Sequence, residues 1–134
     1  MRRFAVHLAV IAVLWTTPAA ANEPAVRQVI GDQIAAFEAD DFAAAFEFAS
    51  PAIRSIFGTP ERFGAMVQQG YPMVHRPDTL RFLEARDGTR GIVQRVLITD
   101  GAGRVHLLEY EMIDLDGRYL INGVRLLRGA EAGA

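Results

Sequence analysis

A hydroxyl residue followed at once by proline occurs twice within a short stretch, at Ser50-Pro51 and at Thr59-Pro60. Each pair joins a side chain that caps a helix to a ring preset for the first helical position, so each marks a helix start. Gly58 and Gly70 stand where the helices between and after these starts should end, because glycine accepts the left-handed conformation of a C-terminal cap. Upstream, Val26, Val29, Ile30, Gln33, Ile34 and Phe37 recur at helical spacing, with Asn22 and Glu23 placed to cap and charge a first turn. Asp40-Asp41 interrupts that pattern, and either carboxylate can cap a second helix with Phe42, Ala45, Phe46 and Ala49 on one side. Phe63, Met66 and Val67 give the last helix its apolar face. The stretch from Val26 to Tyr71 therefore reads as four short helices whose Phe and Ala residues need a partner surface.

The rest of the chain supplies one. Tyr71 to Arg76 reads as a short extended piece between Pro72 and Pro77, and Leu80 to Arg86 alternates up to a turn at Asp87-Gly88. Gly91 to Thr99 is a strand rich in Ile and Val, ended by Asp100-Gly101-Ala102-Gly103. Val105 to Asp114 and Arg118 to Leu127 are two more strands, joined at Leu115-Asp116-Gly117. Helices followed by alternating strands predict an α+β domain, with short helices on one face of a curved antiparallel meander of four to five strands.

Register follows from the turns. A three-residue loop at Leu115-Asp116-Gly117 sets Met112 against Leu120, Tyr110 against Asn122 and Leu108 against Val124, on the face that meets the helices. Ile92, Gln94, Val96 and Ile98 are the matching inward set of the preceding strand, and a bulged loop at Asp100–Gly103 brings Gln94 opposite Tyr110. Gln94, Tyr110 and Asn122 then form a polar row across an apolar face, where they satisfy one another or orient a ligand. The reverse face carries Val93, Leu97, Leu107, Tyr119, Ile121 and Leu127, a patch apolar enough to suggest a homodimer through the sheet.

Residues 1–21 have the form of a secretory signal: Arg2 and Arg3, an apolar run from Phe4 to Trp15, then Ala19-Ala20-Ala21 before a cleavage point at Asn22. The apolar run is shorter than the ~20 residues of a membrane span. The reading is an exported, periplasmic or secreted protein, with one domain at residues 22–128, a frayed tail at 129–134 and no membrane partner after cleavage. The formal charge is −2 and falls further once two arginines are removed, which argues against nucleic acid. There is no cysteine, so disulfides, thiol chemistry and thiolate metal sites are excluded.

No catalytic constellation emerges. His75 and His106 have no carboxylate or second histidine at metal-ligand spacing, and no metal or other cofactor is implied. Ser50 and Ser55 lack a nucleophile-elbow context and read as a helix cap and a surface residue. Gly101-Ala102-Gly103 precedes a strand, not a helix, so it is no phosphate loop. Asp40 and Asp41 read as capping residues, and Glu109 and Glu111 as outward partners of Arg95 or Arg125.

The run QIAAFEADDFAAAFEFASPAIRSIFGTPERFGAMVQQGYPMVHRP, with QRVLITD, LLEYEMID and INGVRLL after it, resembles domain-of-unknown-function family 4864 across nearly the whole mature chain. That family carries no assigned activity. The layout is also similar to NTF2-like (cystatin-like cone) domains, which include ketosteroid-isomerase-like enzymes and non-catalytic binding domains; fold alone does not choose between them. An isomerase needs a general base near Tyr110, and the inward face offers no carboxylate. The function expected is therefore a non-catalytic module for a small polar or amphipathic ligand. A protein-interaction domain using the outer sheet face, or a small isomerase, hydrolase or dehydratase, are the alternatives.

Overall fold

The computed structural model describes residues 11–12 and 18–127. Arg2 and Arg3, most of the apolar run and the tail from Gly129 lie outside the described residues. Among the described residues no helix is long and apolar enough to cross a membrane.

Five helices precede the sheet: α1 (Pro18–Glu38), α2 (Phe42–Glu47), α3 (Pro51–Phe57), α4 (Pro60–Gly70) and α5 (Pro72–His75). Four of the expected caps are in place, whereas Gly70 ends α4 without positive φ and Tyr71 is its C-cap. Asp41 accepts from the Ala44 N–H, Ser50 from Ile53 and Thr59 from Arg62, and Gly58 closes α3 at φ 77°. Two boundaries differ from the sequence reading. Helix α1 begins at Pro18 rather than after Asn22, because Ala19-Ala20-Ala21 are strong helix formers that extend it backwards. The piece Tyr71 to Arg76 is not extended: Pro72 starts the one-turn helix α5, and turning there buries both Met73 and Val74, which an extended strand would send to opposite sides.

The strands β1 (Pro77–Asp87), β2 (Gly91–Asp100), β3 (Val105–Leu115) and β4 (Arg118–Leu126) form one antiparallel meander in the order β1-β2-β3-β4. Helix α1 lies across β1, β2 and β4, α5 rests on β1 and β2, and α3 meets β4. The core lies between the layers, with Val26, Ile30, Ile34 and Phe37 from α1 against Ile92, Val96, Ile98, Leu108 and Met112 from the sheet. Burying such a side chain contributes about 1.5–3 kcal/mol.

Besides a register shift at Asp78 near the start of β1, two bulges bend this sheet. In β1, Leu83 and Glu84 stand against the single residue Arg95. In β4, Asn122 is the extra residue between Met112 paired with Ile121 and Glu111 paired with Gly123. An unpaired residue locally disrupts the ladder and increases twist. The last turn has two residues, Asp116 and Gly117, both at positive φ (54° and 87°), so Leu115 pairs with Arg118. That shifts β4 by one residue from the expected register as far as the bulge: Tyr119 and Ile121 pack on the core and Leu120 faces outward. Beyond the bulge the alternation is restored, and Val124 faces the helices opposite Tyr110.

The far edge of β4 is covered rather than open. The Ile121 N–H donates to the Phe48 carbonyl at 2.9 Å, and the Ser50 N–H donates to the Ile121 carbonyl at 2.8 Å. The segment between α2 and α3 thus serves as a one-residue parallel bridge, which spares the sheet an exposed edge at this point.

A polar latch joins the end of α1 to the end of α5. Asp40, in the left-handed conformation at φ 54°, pairs with His75 at 2.7 Å and Arg76 at 2.9 Å, and Arg76 also donates to the Glu38 carbonyl. His75 and Arg76 hydrogen bonds hold the Asp40 carboxyl below its ordinary value of 3.8. A carboxyl lowered in the folded state stabilises above its unfolded value, and that stabilisation is lost as pH falls through the folded value. Asp40→Asn keeps the side-chain shape and tolerance of positive φ while removing the charge. Urea denaturation should show the variant less stable than wild type at pH 7, with the gap closing as pH is lowered from about 4 towards 2. A gap that persists unchanged into acid would show that the charge is not what Asp40 contributes.

Candidate functional site

The helices do not close completely on the sheet. A cleft of about 230 Å³ remains between them, bounded by α1 (Gln33, Phe37), α3 (Ile53, Phe57), α4 (Phe63, Met66, Val67), Val74 of α5 and Ile121, Gly123 and Val124 of β4. Ala49 and Tyr71, from the connections, complete it. An engineered cavity of about 150 Å³ in another protein takes up benzene, so this space is of small-molecule size.

One wall is an aromatic stack centred on Phe63, whose ring centroid lies 5.7 Å from Phe37, 5.4 Å from Phe46 and 5.7 Å from Phe57, all in tilted contact. Such tilted pairs are the arrangement aromatic quadrupoles favour. The other wall is β4, where the bulge at Asn122 allows both Ile121 and Val124 to reach the cleft. Helix α3 contributes Ile53 and Phe57 to the lining but buries no residue fully, and Ile56 is exposed on it.

Two polar side chains enter this apolar lining. Gln33 is only 3% exposed, and its Nε2 donates to the Ala45 carbonyl at 3.1 Å. The Tyr71 hydroxyl donates to the Val124 carbonyl at 3.2 Å, tying the helical layer to β4. No carboxylate, histidine, lysine or arginine is among the lining residues. Gln33 and Tyr71 were not singled out as site residues in the sequence. Gln33 does carry a signal, an amide standing at a core position of an apolar helical stripe, but its partner lies on another helix and is invisible to local pattern.

The polar row expected from the sequence is only partly assembled. Gln94 and Tyr110 are paired across β2 and β3 and are fully buried towards the helices. Gln94 fills the bulge of β1: its Nε2 donates to the carbonyls of Leu83 at 3.0 Å, Glu84 at 3.4 Å and Arg95 at 2.8 Å. Its Oε1 and the Tyr110 hydroxyl are buried without a hydrogen-bond partner among the described residues. Complete burial, together with the neighbouring Tyr71, pushes the Tyr110 hydroxyl pKa far up. Neither Gln94 nor Tyr110 lines the cleft.

Asn122 does not join them. It is the bulged residue of β4, and Val124 takes the place opposite Tyr110. Its side chain accepts from the Ser50 hydroxyl at 2.8 Å and donates to Glu111, on the outer side of the sheet, at 3.0 Å. The cause is the two-residue turn, one residue shorter than the loop assumed from the sequence.

The outer face changes in composition with the register. Tyr119 and Ile121 leave it and Leu120 joins it, while Val93, Leu97, Leu107 and Leu127 remain half-buried there beside an ionic cluster. Glu109 sits among Arg86 at 3.0 Å, Arg125 at 2.9 Å and Arg95 at 3.8 Å. Burial raises the Glu109 carboxyl, and the hydrogen bonds and charges of Arg86 and Arg125 outweigh it, so the net shift is downward. His106 pairs with Asp100 at 2.9 Å at the end of the sheet. Among the described residues no group of three or more His, Asp or Glu side chains could hold a metal ion.

Tyr110 and Asn122 should respond oppositely to truncation. Removing a buried hydroxyl that bonds nothing relieves an uncompensated group, so Tyr110→Phe should leave stability unchanged or raise it. Asn122→Ala strands the buried Ser50 hydroxyl and unpins the bulge, and should lower stability by about 1–3 kcal/mol. Chemical denaturation of both variants checks this; a comparable loss in Tyr110→Phe would mean that its hydroxyl has a partner after all.

The family model described as "Domain of unknown function (DUF4864)" matches residues 19–134. No curated protein and no solved structure matches the chain. A match over nearly the full length is sufficient for assignment: the chain belongs to the DUF4864 family.

Proposed function

We propose that this domain is a non-catalytic binding module that holds a small ligand in the cleft between its helices and its sheet. The observation that carries the reading is the composition of that cleft: about 230 Å³ of space walled by Phe, Met, Val and Ile, with Gln33 and Tyr71 as its polar side chains. An apolar pocket with a few placed polar groups is the usual make-up of a small-molecule site. Acid–base chemistry needs a titratable group within hydrogen-bond reach of the substrate; no carboxylate or imidazole lines this cleft, and the proton of its one titratable side chain, Tyr71, is bonded to the Val124 carbonyl. Short helices over a curved meander, with a cleft at the junction, is also the arrangement expected of an NTF2-like cone. The proposal places the domain with the binding members of that fold rather than with its isomerase-like ones.

Titration of the domain with small aromatic and alicyclic compounds, followed by amide chemical shifts, tests the reading. Saturable shifts should centre on Phe57, Phe63, Tyr71 and Val124. Val67→Phe, which adds volume at the cleft wall, should abolish them while leaving the remaining spectrum folded. Shifts spread over the outer sheet face, or unaffected by Val67→Phe, would contradict the reading.

The same reading treats the protein as exported, on the strength of Arg2, Arg3, the apolar run and Ala19-Ala20-Ala21. Intact-mass measurement of protein from the cell envelope and medium should then give a soluble chain beginning at Asn22. A membrane-bound chain that retains Met1 would count against export by cleavage.

A further inference from the structure

We propose that the cleft selects a neutral, largely apolar molecule that donates one hydrogen bond, such as a phenol or a cyclic alcohol, and that it rejects carboxylates. The inference rests on the binding reading above and specifies its ligand. Size sets the first limit: about 230 Å³ exceeds the ~150 Å³ that accommodates benzene, which allows a single ring with a small substituent. Charge sets the second. No arginine, lysine or histidine lines the cleft, so an anion entering it would give up its hydration with no ionic partner. No carboxylate lines it either, so an ammonium group would be equally uncompensated.

The polar side chains then fix the direction of the hydrogen bond. A main-chain carbonyl can only accept, so the contact between Gln33 and the Ala45 oxygen identifies the bonded end of the amide as Nε2. The flipped amide would set oxygen against oxygen. This leaves Oε1 of a residue 3% exposed without a hydrogen bond from the described residues, while Nε2 keeps one further N–H. Tyr71 is committed in the same sense: its proton goes to the Val124 carbonyl, leaving only the lone pairs of its oxygen. Each side chain therefore offers an acceptor to the cleft, and a ligand that brings a proton is the one that both can engage.

A matched series separates this inference from the binding reading. Calorimetric or chemical-shift titration would compare p-cresol, toluene, benzoate and benzyltrimethylammonium on wild type and on Gln33→Met. The expected result is p-cresol binding about five- to tenfold more tightly than toluene, as one added hydrogen bond gives, with benzoate and the ammonium salt not measurably bound. In Gln33→Met the advantage of p-cresol should shrink while toluene binding persists. Tyr71→Phe is the second variant, and the wild-type series stands on its own if Gln33→Met fails to fold. Toluene binding as tightly as p-cresol, or either ion binding best, overturns the donor rule but leaves a binding site. Failure of all four compounds to bind overturns both readings.

Discussion

The architecture depends on a two-bond seam at the edge of β4, where the Ile121 N–H and C=O meet Phe48 and Ser50. An edge strand presents unpaired donors and acceptors, and here the chain's own interhelical segment takes them. The seam also fixes where α3 begins, because Ser50 at once donates its N–H to Ile121, caps α3 and donates its hydroxyl to Asn122. A single residue thus couples the sheet, the bulge and the helix that walls the cleft. Ser50 is fully buried, so these bonds form away from competing water, where a missing partner is most costly.

The cleft follows from that geometry. Helix α3 hangs from the seam at one end and turns away at Gly58 at the other, so Ile53 and Phe57 reach over the space without filling it. On the sheet side, the bulge lets Ile121 and Val124 both reach the cleft although strict alternation would put them on opposite faces. The remaining filler would have to be a larger side chain, and the residues facing the gap there are Ala49 and Gly123. The cleft and the curvature of the sheet are in this sense the same feature.

The helices were legible because their signals are local: Asp41, Ser50 and Thr59 each bond an N–H three residues on, which sequence order alone specifies. The strands were legible from alternation, and the inward set of β2 follows it without exception. What was not legible depends on counting across a turn. Leu115-Asp116-Gly117 fits a two-residue or a three-residue loop, and the choice reverses every side chain of β4 up to the bulge. Nothing at Asn122 announces a bulge, since its partners Ser50 and Glu111 come from elsewhere in the chain. The expected site residues Gln94 and Tyr110 are fully buried and do not line the cleft. The cleft lies nearer the helices, around Gln33 and Tyr71, whose bonds to Ala45 and Val124 span separate elements.

The central claim is that the space between α3, α4 and β4 is an accessible apolar site and not a packing gap closed in solution. A crystal of the protein under xenon pressure tests this without choosing a ligand, because xenon enters apolar cavities of this kind and needs no polar partner. The account predicts xenon density bounded by Phe57, Phe63 and Val124, with the surrounding side chains unmoved. Absence of xenon, with Ile53 and Phe57 folded down to fill the space, would contradict it.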